Sequence, residues 1–204
     1  MNGNDIKQKN GFYIEEIAKK VKIAIIGDSK IGKTELISKL LDTTLSVNSR
    51  TIEQSYNIIE YINNRRINLN LIDTSGGEEH NNLIQLWISD VDAIALAFSL
   101  NNKKSFNNLK VYYNKIRNIK GRNFPMILIG LKNDSYDIEV PIVDAKTQAM
   151  MWSINYFESN ENHLKEPFKF LINKVLENEE NGKKFDPSAI VNNCKVNSCF
   201  CSIY

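Results

Sequence analysis

The run Gly27-Asp28-Ser29-Lys30-Ile31-Gly32-Lys33-Thr34 has the spacing G-x-x-x-x-G-K-[ST]. Its glycines let successive backbone N–H groups curl around an anion, and the helix that opens at its end adds a positive dipole end. Lys33 is spaced to reach the β- and γ-phosphates of a nucleotide, and the Thr34 hydroxyl to bind Mg²⁺. The chemistry is therefore phosphate binding. On this loop alone, kinases, ATPases and GTPases all stay open. A second chemical residue, Asp73, stands at the end of an apolar run, where a strand C-terminus faces the ligand crevice of an open α/β sheet.

These residues need a frame, and the hydrophobic pattern supplies one. Val21 to Ile26, Ile58 to Ile62, Ile67 to Ile72, Ala93 to Phe98, Met126 to Ile129 and Ile154 to Phe157 read as strands. Several are continuously apolar, as expected where both sheet faces are covered. Asn63-Asn64-Arg65-Arg66 reads as a hairpin turn, which makes one antiparallel edge strand on a mostly parallel sheet. Helical periodicity covers Lys33 to Leu41, Asn81 to Ser89, Ser105 to Ile119, Val143 to Trp152 and Glu166 to Leu176. The expectation is an α/β fold: a doubly wound, six-stranded sheet with about five helices and right-handed crossovers. The organisation read from composition is an extension over 1–20, one domain over 21–178 and a tail over 179–204.

Several ordered motifs then carry a resemblance. Asp73-Thr74-Ser75-Gly76-Gly77-Glu78-Glu79 resembles the D-T-A-G-Q-E-E segment of the Ras superfamily. Thr51-Ile52-Glu53-Gln54-Ser55-Tyr56 resembles the Ras effector loop T-I-E-D-S-Y, and Leu131-Lys132-Asn133-Asp134 the guanine-reading N-K-x-D. Asn101 to Phe106 and Pro125 to Gly130 are Ras-like as well. The resemblance covers Val21 to Leu176 and implies a small GTPase with the P-loop NTPase fold. It implies that Mg²⁺ is held by Thr34, Thr51 and Asp73. It implies nucleotide contacts from Ser29, Lys30, Ile31, Gly32, Lys33, Thr34, Glu35, Gly76, Lys132, Asp134, Ser159 and Asn160. Lys33, Thr51 and position 77 would carry catalysis. The Thr51 and Gly76 contacts to the γ-phosphate exist only with GTP, and their loss on hydrolysis is the family's switch. The partners implied are guanine nucleotide (GTP or GDP), an exchange factor, a GTPase-activating protein and effectors. A small-molecule kinase would need an arginine-bearing lid after the Asp motif, and the chain is Ras-like there instead.

Three positions depart from the family pattern. Leu131 replaces the Asn that tethers the base loop, so nucleotide retention is expected to weaken by about 10- to 100-fold. Gly77 replaces the Gln that positions the attacking water, so hydrolysis is expected to be slow, or absent in a GTP-binding scaffold. Ser29-Lys30 replaces two glycines of Ras; Ser29 is common in Rab-type members, and Lys30 is expected to point into solvent. The S-A-K base element is reduced to Glu158-Ser159-Asn160. Gln54 stands where Ras has an effector-contacting Asp.

The three cysteines, Cys194, Cys199 and Cys201, all lie near the C-terminus, so a disulfide framework is not expected. Cys201-Ser202-Ile203-Tyr204 has the form C-a-a-X, and Cys199 completes a C-x-C pair like that of doubly prenylated Rab tails. Tail lysines Lys183, Lys184 and Lys195 are balanced by Glu179, Glu180 and Asp186, so a second lipid, rather than a basic patch, is the expected second anchor. A lipid-anchored protein on the cytoplasmic face of a membrane follows. The 204-residue chain has net charge +2, which gives no basis for nucleic acid as a partner. No apolar run reaches the roughly 20 residues of a membrane span, and the polar start, Met1 to Asn10, lacks a secretory signal's apolar core.

Overall fold

The computed structural model describes residues 8–9, 12–13, 18–41, 53–74, 76, 81–131, 137–159 and 163–182. A short hairpin pairs β1 (Gln8–Lys9) with β2 (Phe12–Tyr13). The main sheet is built from β3 (Lys19–Ile26), β4 (Glu53–Ile62), β5 (Arg65–Thr74), β6 (Ala93–Ser99), β7 (Met126–Leu131) and β8 (Asn155–Glu158). Its order is β4-β5-β3-β6-β7-β8, with β4 antiparallel to β5 and the other pairings parallel. Among the described residues, four helices lie between strands, α1 (Lys33–Leu41), α2 (Asn81–Ser89), α3 (Lys103–Lys120) and α4 (Ile142–Met151), and α5 (Glu166–Glu180) follows β8. This is the doubly wound, mostly parallel α/β sheet with one antiparallel edge strand that the hydrophobic pattern predicts.

Alternation along each strand sorts the core into two layers. Val21, Ile23 and Ile25 of β3 point to one face, where Leu36 and Ile37 of α1 and Phe168, Leu171 and Ile172 of α5 pack. Ala24 and Ile26 point to the other, against Ile84 and Ile88 of α2, Leu109 and Ile116 of α3, and Ala145 and Ala149 of α4. Every residue of β6 is buried, which is why that strand shows no polar alternation. Small residues Ala93, Ala95 and Ala97 take the α1/α5 side and larger Ile94, Leu96 and Phe98 the other.

Local signals set most boundaries. The β4–β5 turn is two residues long, Asn63 and Asn64 at φ 52° and 60°, with Ile62 facing Arg65. Asparagine tolerates that left-handed backbone, and two such residues match the hairpin's twist. The two arginines expected in the turn instead begin β5. Asn102 caps α3 by accepting from the Ser105 N–H at 3.0 Å, and Gly121 ends it at φ 75°. α5 runs to Glu180, past the expected end at Leu176, and its last turn carries two ion pairs: Lys19–Glu179 at 2.5 Å and Arg65–Glu180 at 2.9 Å. Exposed pairs of this kind contribute about 0–1 kcal/mol each.

Candidate functional site

The parallel strands deliver their C-terminal ends to one rim of the sheet. The turn after β3 carries Gly27 to Gly32, β5 ends on Asp73 and Thr74 with Gly76 beyond, β7 ends on Leu131, and Ser159 follows β8. Helices α1 and α2, which follow β3 and β5, leave toward opposite faces of the sheet, so β3 stands at the reversal point where such folds open a crevice.

The loop is held by packing. Ile31 is 1% exposed and joins the α1/α5 core layer. Gly27 lies so close to the Ala97 carbonyl that a Cβ there would overlap it, and Gly32 sits at φ 100°, a backbone that only glycine adopts without strain. Lys30, at φ 60°, is a non-glycine residue in the left-handed region, exposed at the loop's tip. The Leu36 N–H bonds the Gly32 carbonyl at 2.9 Å, and α1 begins at once. Glu35 and Lys39 then pair across one turn of α1 at 3.0 Å.

Lys33 is buried beneath the loop, its ammonium donating to the carbonyls of Gly27 at 3.0 Å and Asp28 at 2.6 Å. Burial pushes its pKa down to about 8, with Asp73 and Asp28 opposing the shift. The Thr34 hydroxyl donates to Asp73 Oδ2 at 2.5 Å. Asp73 Oδ1 is buried with no hydrogen-bond partner among the described residues. Burial raises the Asp73 pKa, and the Thr34 hydrogen bond and Lys33 charge only partly offset this. Gly76 lies against the loop itself: a Cβ there would overlap the Asp28 carbonyl and the Ser29 nitrogen.

The structure thus brings Ser29, Lys30, Ile31, Gly32, Lys33, Thr34, Asp73 and Gly76 together, with Glu35 in the first turn of α1. Ser159 lies at the same rim, its N–H bonded to the Gly130 carbonyl at 2.9 Å. Thr51, Gly77, Lys132, Asp134, Asn160, Cys199 and Cys201 lie outside the described residues. Leu131 is 3% exposed and packs in the α1/α5 core layer beside Ile129 and Ala97, so its side chain offers the rim no polar group. Gln54, expected in a loop, is in β4 and faces Asp73 in register, because β5 continues to Thr74 and pairs β4 to its end. Two residues near the loop went unread in the sequence: Asn108 and Tyr112 of α3 both donate to the Asp28 carboxylate. No local signal marks them, since Tyr112 reads as one more core residue of an amphipathic helix.

Comparison with known proteins decides the family. The sequence profile of the Ras family matches residues 22–177. The chain belongs to the Ras family. Among similar proteins, Protein ras-1 of Neurospora crassa is 26% identical, with 87% of each chain covered. GTP-binding protein Rheb of Homo sapiens is 27% identical over 70% of this chain and 79% of its own. Ras-related protein Rab-11B of Dictyostelium discoideum is 28% identical over 76% and 73%. Similarity is thus spread almost evenly over Ras, Rheb and Rab proteins. The family is one of GTP-binding switches, and the phosphate loop, Asp73 and Gly76 of this member stand together at one rim of its sheet.

Proposed function

We propose that this Ras family protein is a membrane-anchored guanine-nucleotide switch that binds Mg-GTP at the rim around Lys33 and hydrolyses it slowly. The observation that carries the reading is the convergence of Lys33, Thr34, Asp73 and Gly76 on one loop. Lys33, parked on two carbonyls, would exchange them for phosphate oxygens, which restores the charge that burial disfavours. The loop N–H groups and the N-terminus of α1 would take the remaining phosphate charge.

The Thr34 hydroxyl and Asp73 Oδ1, which has no partner among the described residues, are oxygen donors of the kind Mg²⁺ takes. Thr34 and Asp73 would therefore hold Mg²⁺ together with phosphate oxygens, and by resemblance Thr51 would complete the set. The ion supplies charge neutralisation on the β- and γ-phosphates. Gly76, with no side chain between its backbone and the loop, is suited to sense the γ-phosphate through its N–H. By resemblance, Asp134 and Lys132 would read guanine.

Hydrolysis transfers the γ-phosphoryl group to water, breaking its bond to the β-phosphate oxygen and leaving GDP and phosphate. Positioning the water is what Gly77 lacks the side chain to do, and slow turnover follows. That same residue favours a second reading, a GTP-binding scaffold that does not hydrolyse. The C-a-a-X form at Cys201 and the pairing with Cys199 support lipid anchoring on the cytoplasmic face of a membrane. Exchange factor, GTPase-activating protein and effectors are the partners such a switch requires.

The test is the nucleotide carried by freshly purified protein, released by denaturation and separated by chromatography, followed by GTP loading and single-turnover assay. GDP forming slowly from loaded GTP supports the switch. GTP that persists supports the scaffold. No guanine nucleotide, even after Mg-GTP loading, would sink both.

A further inference from the structure

Asp28 is the second residue of the phosphate loop, and both its carboxylate oxygens are engaged on α3. Asn108 Nδ2 donates to Oδ2 at 2.8 Å, and the Tyr112 hydroxyl donates to Oδ1 at 2.8 Å. The two donors are four residues apart and so share one face of α3. They reach Asp28 across separations of 80 and 84 residues. The backbone of Asp28 is engaged as well: its carbonyl accepts from Lys33 at 2.6 Å, and Gly76 lies against it. Phosphate loop, α3 and the segment after β5 all meet on this residue.

A carboxylate is an awkward group for a phosphate loop to carry. It repels a polyphosphate and competes for the loop's lysine, and the Asp28 charge is felt at Lys33. Two neutral donors on α3 occupy both oxygens and hold the group on the helix. Charge-assisted hydrogen bonds of this type are stronger than neutral ones, and two at once fix the orientation.

We propose that Asp28 is a positioning residue: latched on Asn108 and Tyr112, it ties the phosphate loop to α3, leaves Lys33 to the phosphates, and slows nucleotide release. The latch makes α3 part of the nucleotide site although no residue of α3 is expected to touch the ligand. It rests on guanine-nucleotide binding at this loop.

The test is release of a fluorescent GDP analogue from the full-length, Mg-loaded protein, with the melting temperature of each variant measured alongside. The double variant Asn108→Ala/Tyr112→Phe keeps the carboxylate but loses both donors, and release is expected to quicken about tenfold. Asp28→Ala is expected to quicken it less, because the competing charge leaves with the latch. Adding Asp28→Ala to the double variant is expected to slow release again. A merely structural role would show its rescue in the melting temperature as well, whereas the latch shows it in release at an unchanged melting temperature. Should the double variant fail to fold, Asn108→Ala alone is expected to quicken release about threefold and to be rescued in the same way. Release within twofold of the parent in the variants, or a triple variant faster than the double, would overturn the latch while leaving nucleotide binding intact. A parent that retains no nucleotide would overturn both.

Discussion

The Thr34 hydroxyl donates to Asp73 Oδ2 at 2.5 Å, while Oδ1 of the same carboxylate is buried with no partner among the described residues. The pair joins the first turn of α1 to the end of β5 across a separation of 39 residues. Among the described residues, one oxygen of the carboxylate is thus satisfied and the other is not. A purely structural Asp at that depth would be expected to pair both oxygens. Asp73→Asn removes a charge that burial already disfavours. The nucleotide-free protein is expected to stay within about 1 kcal/mol of the parent by chemical denaturation. The extra nucleotide retention given by Mg²⁺ should disappear. Destabilisation of about 3 kcal/mol or more would instead make Asp73 chiefly the ion partner of Lys33.

Lys33 predicts a proton linkage. Its pKa in the folded protein is lowered to about 8 by burial, against 10.5 ordinarily. Between those values the unfolded chain binds more protons, so the Lys33 contribution to stability rises with pH across that window. A polyphosphate reverses the balance by favouring the charged ammonium. At pH 8 nucleotide binding is therefore expected to take up about half a proton. Calorimetry in two buffers of different ionisation heat reads this directly. No uptake would mean that Lys33 does not charge on binding.

Lys30 predicts a gain in stability from a single substitution. The left-handed backbone at φ 60° costs a side-chain-bearing residue about 1–2 kcal/mol. Lys30→Gly removes that strain but loosens the unfolded chain, so a net gain of about 0.5–1 kcal/mol is expected. Lys30→Ala keeps the strain and removes the charge, and is expected to give no such gain. Urea denaturation separates the two effects. A gain from Ala equal to that from Gly would assign the effect to charge.

Leu131 predicts a trade between packing and retention. Its side chain fills the α1/α5 core layer at 3% exposure. Leu131→Asn places an amide there, with an expected cost of about 1–3 kcal/mol in stability unless the amide finds partners at the loop. By the family pattern it should also slow GDP release by about 10-fold or more. Melting temperature and release rate are measured on the same preparation. Lower stability with unchanged release would show that this rim does not use an Asn tether.

The alternation of apolar runs, the hairpin turn at Asn63-Asn64 and the phosphate loop are all legible along the chain. Each depends on hydrogen bonds and backbone angles set within a few neighbouring residues. The α/β class follows from them, because strands covered on both faces need helices on both faces. The Thr34–Asp73 contact is half legible: its two ends carry motif signals, and only the neighbouring, parallel placement of β3 and β5 joins them.

The rest depends on where separate segments come to lie. Whether Leu131 points to the rim or into the core depends on the register of β7 against β6. The entry of Gln54 into β4 depends on how far β5 extends to pair it. The Asp28 latch needs α3 beside the loop, at separations of 80 and 84 residues. No short-range pattern encodes these relations, because packing energy is earned only when the sheet order β4-β5-β3-β6-β7-β8 has assembled. Local chemistry marks the chain as a phosphate binder of the α/β class, and the assembled sheet and its helices settle which side chains reach the phosphate loop.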